Sequence, residues 1–120
     1  MKKNWLVSFL LVLGYANSAA AVEGIVLWNN VKCGVNIIAT DGGYTFNQQL
    51  SAAELSVGDK LEGPLNINEK TANFSNVSTG KMVMMWVGHY STSKKITLDW
   101  VPPKCRTEDL ATMTWVVPVQ

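Results

Sequence analysis

Apolar positions along this chain fall into two regimes. From Trp5 to Leu13 they run almost unbroken, whereas beyond residue 21 they recur in short bursts, alternating with polar residues and cut by Gly, Asn, Asp and Ser. Bursts of period two between turn residues predict strands, and no segment beyond residue 21 sustains a helical period. The pattern predicts strands over Gly24–Trp28, Gly34–Thr40, Gly43–Phe46, Lys60–Ile67, Ala72–Val77, Lys81–Tyr90, Lys95–Val101 and Thr112–Val119. Asp41-Gly42, between Ile37-Ile38 and Tyr44–Phe46, predicts a hairpin closed by a type I′ turn. Ser51 and Glu54 have the spacing of a capping box, which predicts one or two helical turns before Gly58. Pro102-Pro103 ends the strand containing Trp100, because neither residue donates to a ladder. A connector follows, with one helical turn over Thr107–Leu110. These elements suit an all-β domain: a small closed or half-open, OB-like barrel with one short helix, or alternatively a small β-sandwich.

The first regime has a different meaning. Lys2 and Lys3, the apolar run and the small residues Ser18 to Ala21 follow the order of a secretory signal peptide, with cleavage expected near Ala21. Residues 1–21 are therefore set aside, and 22–120 are read as a single domain, periplasmic or secreted. The apolar run is shorter than the roughly 20 residues a spanning helix needs, so no membrane insertion is expected.

Removing the signal leaves eight basic and nine acidic side chains. A near-neutral domain has no electrostatic hold on a polyanion, which argues against nucleic acid as a partner. A monomer or small homo-oligomer is expected. Cys33 and Cys105 are the only cysteines, and in an oxidising compartment they are expected to pair. By loop entropy such a bridge is worth about 4 kcal/mol.

The chemistry-bearing side chains are few. His89 is the only histidine, so neither a triad nor a multi-histidine metal site can be assembled around a second imidazole. Asp59, Glu62, Asp99, Glu108 and Asp109 have no spacing that sets two carboxylates across a cleft. The expectation is a binding protein with no enzyme activity, no catalytic residues and no cofactor, whose partner is a protein, peptide or glycan. Trp28, Trp100 and Trp115 are the candidate anchors, chosen because indoles give large contact area at low entropic cost.

Met82–Tyr90 is the most unusual segment, combining three thioethers, an indole and the imidazole. Thioether and imidazole ligands suit Cu(I), so Met82, Met84, Trp86 and His89 form an alternative metal set. In composition they resemble the small periplasmic copper chaperones, which hold Cu(I) on an OB barrel with His, Met and a capping Trp; the resemblance implies copper as the alternative cofactor. Alternation puts Met82, Met84 and Trp86 on one face and Met85 and His89 on the other, and a bulge at Gly88 would return His89 to the Met84 face. The simpler reading is a central strand buried on both faces and packed with adaptable methionine. Asn76–Lys81 resembles the Ser/Gly loop with a basic residue found in small periplasmic lysozyme inhibitors, which implies a lytic enzyme as an alternative partner. The second serine and the aromatic pattern of that family are missing, so no inhibitory residue is carried over.

Overall fold

A computed structural model describes residues 22–115 of the chain. The expected signal peptide and the far end of the expected last strand lie outside the described residues. Six antiparallel strands close a barrel: β1 (Val22–Asn30), β2 (Val35–Thr40), β3 (Tyr44–Gln49), β4 (Lys60–Gly63), β5 (Lys70–Asn76) and β6 (Lys81–Ser91), in the order β1-β2-β3-β6-β5-β4. The small all-β barrel expected from the sequence is thus the fold, and the sandwich alternative is not. Three short elements follow: α1 (Lys94–Trp100), a 3-10 turn (Pro103–Cys105) and α2 (Glu108–Thr112).

Two cores result. The lumen is filled by Val26, Ile38, Leu61, Phe74, Val83, Met85 and Val87, with Leu55 and Leu65 plugging it from loops. The outer faces of β1, β2 and β3 carry Trp28, Val35, Ile37, Ala39, Tyr44 and Phe46, and the C-terminal segment lies over them through Val101, Cys105 and Leu110. This explains why β2 is buried at all six positions, although an antiparallel strand usually leaves one face wet. Cys33, in the β1–β2 turn, bridges Cys105 with Cα atoms 6.0 Å apart. The bridge therefore clamps the C-terminal segment onto the outside of the barrel.

Two strands slip register, and each slip moves a ring outward. In β1, Val26 faces Ile38 but Trp28 faces Ile37, so Leu27 is the extra residue and Trp28 joins the outer core. In β6, Val87 faces Asn47 but His89 faces Phe46, so Gly88 is the extra residue. A bulge of this kind reverses the facing of everything beyond it.

Several local expectations are corrected. Lys95–Val101 is not a strand. Ile96, Leu98 and Trp100 mimic strand alternation, but the Ser93 hydroxyl caps a helix by accepting from the Ile96 N–H at 3.2 Å, and Lys95 pairs with Asp99 one turn on at 3.2 Å. The Ser51 segment is not helical, because the Ser51 hydroxyl accepts from the Met84 N–H at 3.0 Å and is spent on bridging to β6. The Asp41-Gly42 hairpin forms, with Ala39 facing Tyr44, but neither residue has positive φ, so its turn is not type I′. The Thr40 hydroxyl instead accepts from the N–H groups of Gly42 and Gly43, both at 3.1 Å. β4 stops before Pro64 rather than reaching Ile67, and residues 112–115 hold the end of α2 and no strand.

The lumen also holds polar side chains. Asn36, Thr45 and Asn47 are fully buried: the Asn47 amide donates to Asn36 Oδ1 at 3.0 Å and to Thr45 Oγ1 at 2.8 Å, and Asn36 donates to the Met85 sulfur at 3.5 Å. Asn47 Oδ1 has no partner among the described residues.

Candidate functional site

The β6 sequence decides which rings can meet. Val83, Met85 and Val87 point into the lumen, so Met82, Met84 and Trp86 point out. Because Gly88 is the bulged residue, His89 returns to the side occupied by Trp86. Both rings then lie against Trp100, which α1 delivers from the other side: His89 stacks on it at 5.1 Å with the planes 8° apart, and Trp86 lies 6.4 Å away. Phe46 of β3 completes the cluster, 6.2 Å from Trp100. Gly88 is part of its construction, since the Trp86 and Phe46 rings press on the space a side chain there would need.

The cluster has an open side. Met82 and Met84 continue the Trp86 row along β6 and are 59% and 40% exposed, too wet for the strand buried on both faces that the sequence suggests. Polar residues flank the row, because Ser75, Asn73 and Thr71 of β5 face Met82, Met84 and Trp86 in turn, and Gln48 of β3 faces Trp86 from the other edge. On the Gln48 side lies a groove of about 540 Å³ lined by Val35, Phe46, Gln48 and Trp86. Lys32, Pro102, Lys104 and the two bridged cysteines line it as well.

The sequence-derived anchors fare differently. Trp28 is 1% exposed and belongs to the outer core; its N–H donates to the Thr107 hydroxyl at 2.9 Å. That hydroxyl donates in turn to Asp109, and this bond holds the Asp109 carboxyl below its ordinary range, with a smaller contribution from Trp28. Trp115 is half-buried, edge-on to Tyr44 at 5.0 Å, with the Lys94 ammonium 5.7 Å from its ring centre. Trp100 is half-buried and central. Trp86 was assigned above only to a metal set, and its place in the aromatic cluster depends on the approach of α1, which strand periodicity does not reveal.

The metal set is only partly assembled. The Gly88 bulge returns His89 to the face of Met82 and Met84, but His89 lies about four extended residues, about 13 Å, beyond Met84 with Trp86 between them. The imidazole face is occupied by Trp100. No group of three or more His, Cys, Asp or Glu side chains is placed to hold a metal among the described residues.

The carboxylates remain scattered. Asp59 is used in a turn, accepting from the Ser56 N–H and the Asn76 amide, both at 2.9 Å, while Asp99 pairs with Lys95. Among the described residues the groove beside Trp86 is lined by no carboxylate, and a second depression of about 450 Å³, at the end of the barrel near Asn29 and Leu55, has Glu54 as the one carboxylate in its lining. The Asn76–Lys81 loop is a tight hairpin turned inward on itself: Asn76 Oδ1 accepts from the N–H groups of Ser78 and Thr79, and the Ser78 hydroxyl accepts from the Lys60 N–H at 3.0 Å. Among the described residues no helix is long and apolar enough to cross a membrane. Compared with known proteins, the chain matches no family model, no characterised sequence and no solved structure, so the site alone carries the functional reading.

Proposed function

We propose that this chain is an exported, non-catalytic binding module that takes a segment of a partner protein on the outer face of β3, β6 and β5. The observation that carries this reading is the row Met82, Met84, Trp86, ending in the Phe46–His89–Trp100 cluster and bordered by Thr71, Asn73, Ser75 and Gln48. Aromatic and methionine side chains surrounded by a neutral polar rim are the composition of protein interfaces. Exposed thioethers suit aliphatic and aromatic side chains of varied shape better than they suit sugar hydroxyls. Copper finds less support, because His89 is spent in a ring stack away from the thioethers. Inhibition of a lytic enzyme through the Asn76–Lys81 loop also finds less support, since Ser78 is spent within the hairpin.

Export rests on the N-terminal sequence and on the paired cysteines. Mass spectrometry of protein recovered from outside the cytoplasm should give a chain starting near Val22; a full-length chain retained in the cytoplasm would contradict it. Binding is tested by selecting a random dodecapeptide library on the immobilised protein. Enriched peptides should lose binding to Trp86→Ala and to Met84→Ser, and keep it for Val57→Ser, a change to an exposed loop residue outside the row. Absence of enrichment, or peptides indifferent to Trp86→Ala, would count against the reading.

A further inference from the structure

We infer that the segment bound along this face is acidic, with a carboxylate seated in the groove beside Trp86 between Lys32 and Lys104. The inference rests on the binding reading above and adds the charge of the partner. Lys32 stands in the β1–β2 turn and Lys104 in the 3-10 turn, and the disulfide between their neighbours Cys33 and Cys105 holds the two cations at one groove. Neither lysine forms a salt bridge among the described residues, in contrast to Lys60 with Glu23 and Lys95 with Asp99. Among the described residues no acidic side chain lines the groove. The chain segments that build it, 30–35, 46–48 and 102–106, hold Lys32, Lys104 and Arg106 and no Asp or Glu. The Arg106 guanidinium is committed to the Val101 and Leu98 carbonyls at 3.0 and 3.1 Å, which leaves Lys32 and Lys104 as the cations of the groove.

The domain as a whole is near neutral, so this local excess of positive charge is a feature of the site rather than of the composition. Trp86, the last residue of the Met82–Trp86 row, also lines the groove with Lys32 and Lys104, so one ligand can meet the apolar row and the two cations together. That adjacency favours an extended peptide with alternating apolar and acidic residues: the apolar side chains lie along Met82, Met84 and Trp86, and a carboxylate reaches the lysines. An acidic glycan shares the charge but leaves the two exposed thioethers without a matching surface.

The test uses the disulfide-intact protein and three amidated hexapeptides with one frame of Phe, Leu and Met at alternate positions. The other three positions are all Glu, all Gln or all Lys, and hexagalacturonate serves as a fourth probe. Titrations follow tryptophan emission at low and at moderate salt. The Glu peptide should bind about five-fold more tightly than the Gln peptide at low salt, with the Lys peptide weakest. The preference should shrink as salt rises, because both lysines are exposed to screening. Lys32→Gln/Lys104→Gln should abolish the preference, while Lys60→Gln, on β4, should leave it intact. Equal binding of the Glu and Gln peptides, or a preference that survives the double substitution, would overturn the acidic partner and leave the apolar row standing. Failure of all three peptides would instead overturn the binding reading itself. Lysine-dependent binding of hexagalacturonate without binding of the Glu peptide would replace the peptide with a glycan.

Discussion

Replacing Gly88 with alanine adds a methyl group to space already taken by two rings. The new Cβ would lie 2.7 Å from Trp86 Cζ3 and 3.2 Å from both Trp86 Cη2 and Phe46 Cδ2. Ordinary carbon contacts start at about 3.5 Å, so roughly 0.8 Å must be found. Gly88 is not among the glycines with positive φ, so backbone strain adds nothing and the whole effect is steric. Phe46 is 5% exposed and held in the outer core, whereas the Trp86 ring has solvent on one side. The indole therefore yields first, and the cost should fall in the lower half of the overpacking range, about 1–2 kcal/mol. Urea denaturation measures that loss, and near-ultraviolet circular dichroism reports the Trp86–Trp100 pair directly. Gly80→Ala is the matched comparison: nothing lies within 4 Å of its Cβ, but φ is +79°. It should cost about 1–2 kcal/mol through conformation alone and leave the aromatic spectrum unchanged. Wild-type stability together with an unaltered aromatic spectrum in Gly88→Ala would refute the account of how the cluster is built.

Three further outcomes are expected. Cys33→Ala/Cys105→Ala, which opens a bridge of sequence separation 72, should lose about 4 kcal/mol and lower the Tm by at least about 15 °C; a fall of less than about 5 °C in a thermal melt would show that the C-terminal segment is held by packing alone. Asn36→Ala should cost about 1–3 kcal/mol in urea, because the Asn47 amide loses its Asn36 acceptor in the lumen; an unchanged midpoint would argue that the network contributes nothing. Asp109 has a folded-state pKa below its ordinary 3.8, chiefly through the Thr107 hydroxyl, so its ionised form stabilises the fold. That contribution is complete above the ordinary value and disappears as pH falls below it through the lowered folded value. The stability gap between wild type and Asp109→Asn should accordingly close in acid; a gap independent of pH from 7 to 2 would remove the role assigned to the Trp28–Thr107–Asp109 chain.

Much of the framework was legible in the residues. Five of the six barrel strands were placed within a few positions, and the sixth, β4, was placed at its start, because β-branched and aromatic bursts between turn residues leave little choice of local structure. The cysteine pair was legible from its count. Other features were not. Ile96, Leu98 and Trp100 fit strand and helix alike over seven residues, and the Ser93 cap with the Lys95–Asp99 pair decided for helix. Ser51 and Glu54 have helix-start spacing, yet a distant N–H on β6 claimed the hydroxyl. Local propensities are worth tenths of a kcal/mol, and a tertiary hydrogen bond or a buried ring outweighs them.

The same division holds for the site. The order of the residues alone determined a small sheet domain with two cysteines, one imidazole and a methionine-rich strand, which limits the chemistry open to it. Which rings meet depends on the parity of each strand, and parity is set by two single-residue bulges: the one at Gly88 is open to the sequence as a way to return His89 to the Met84 face, whereas the one at Leu27 has no signal in the local pattern. One inserted residue sends Trp28 into the outer core and another brings His89 to Trp86, while α1 supplies Trp100 from a segment that alternates like a strand. Periodicity constrains neighbours along the chain; contact between β3, β6 and α1 is a property of closure, and only the folded barrel decides it.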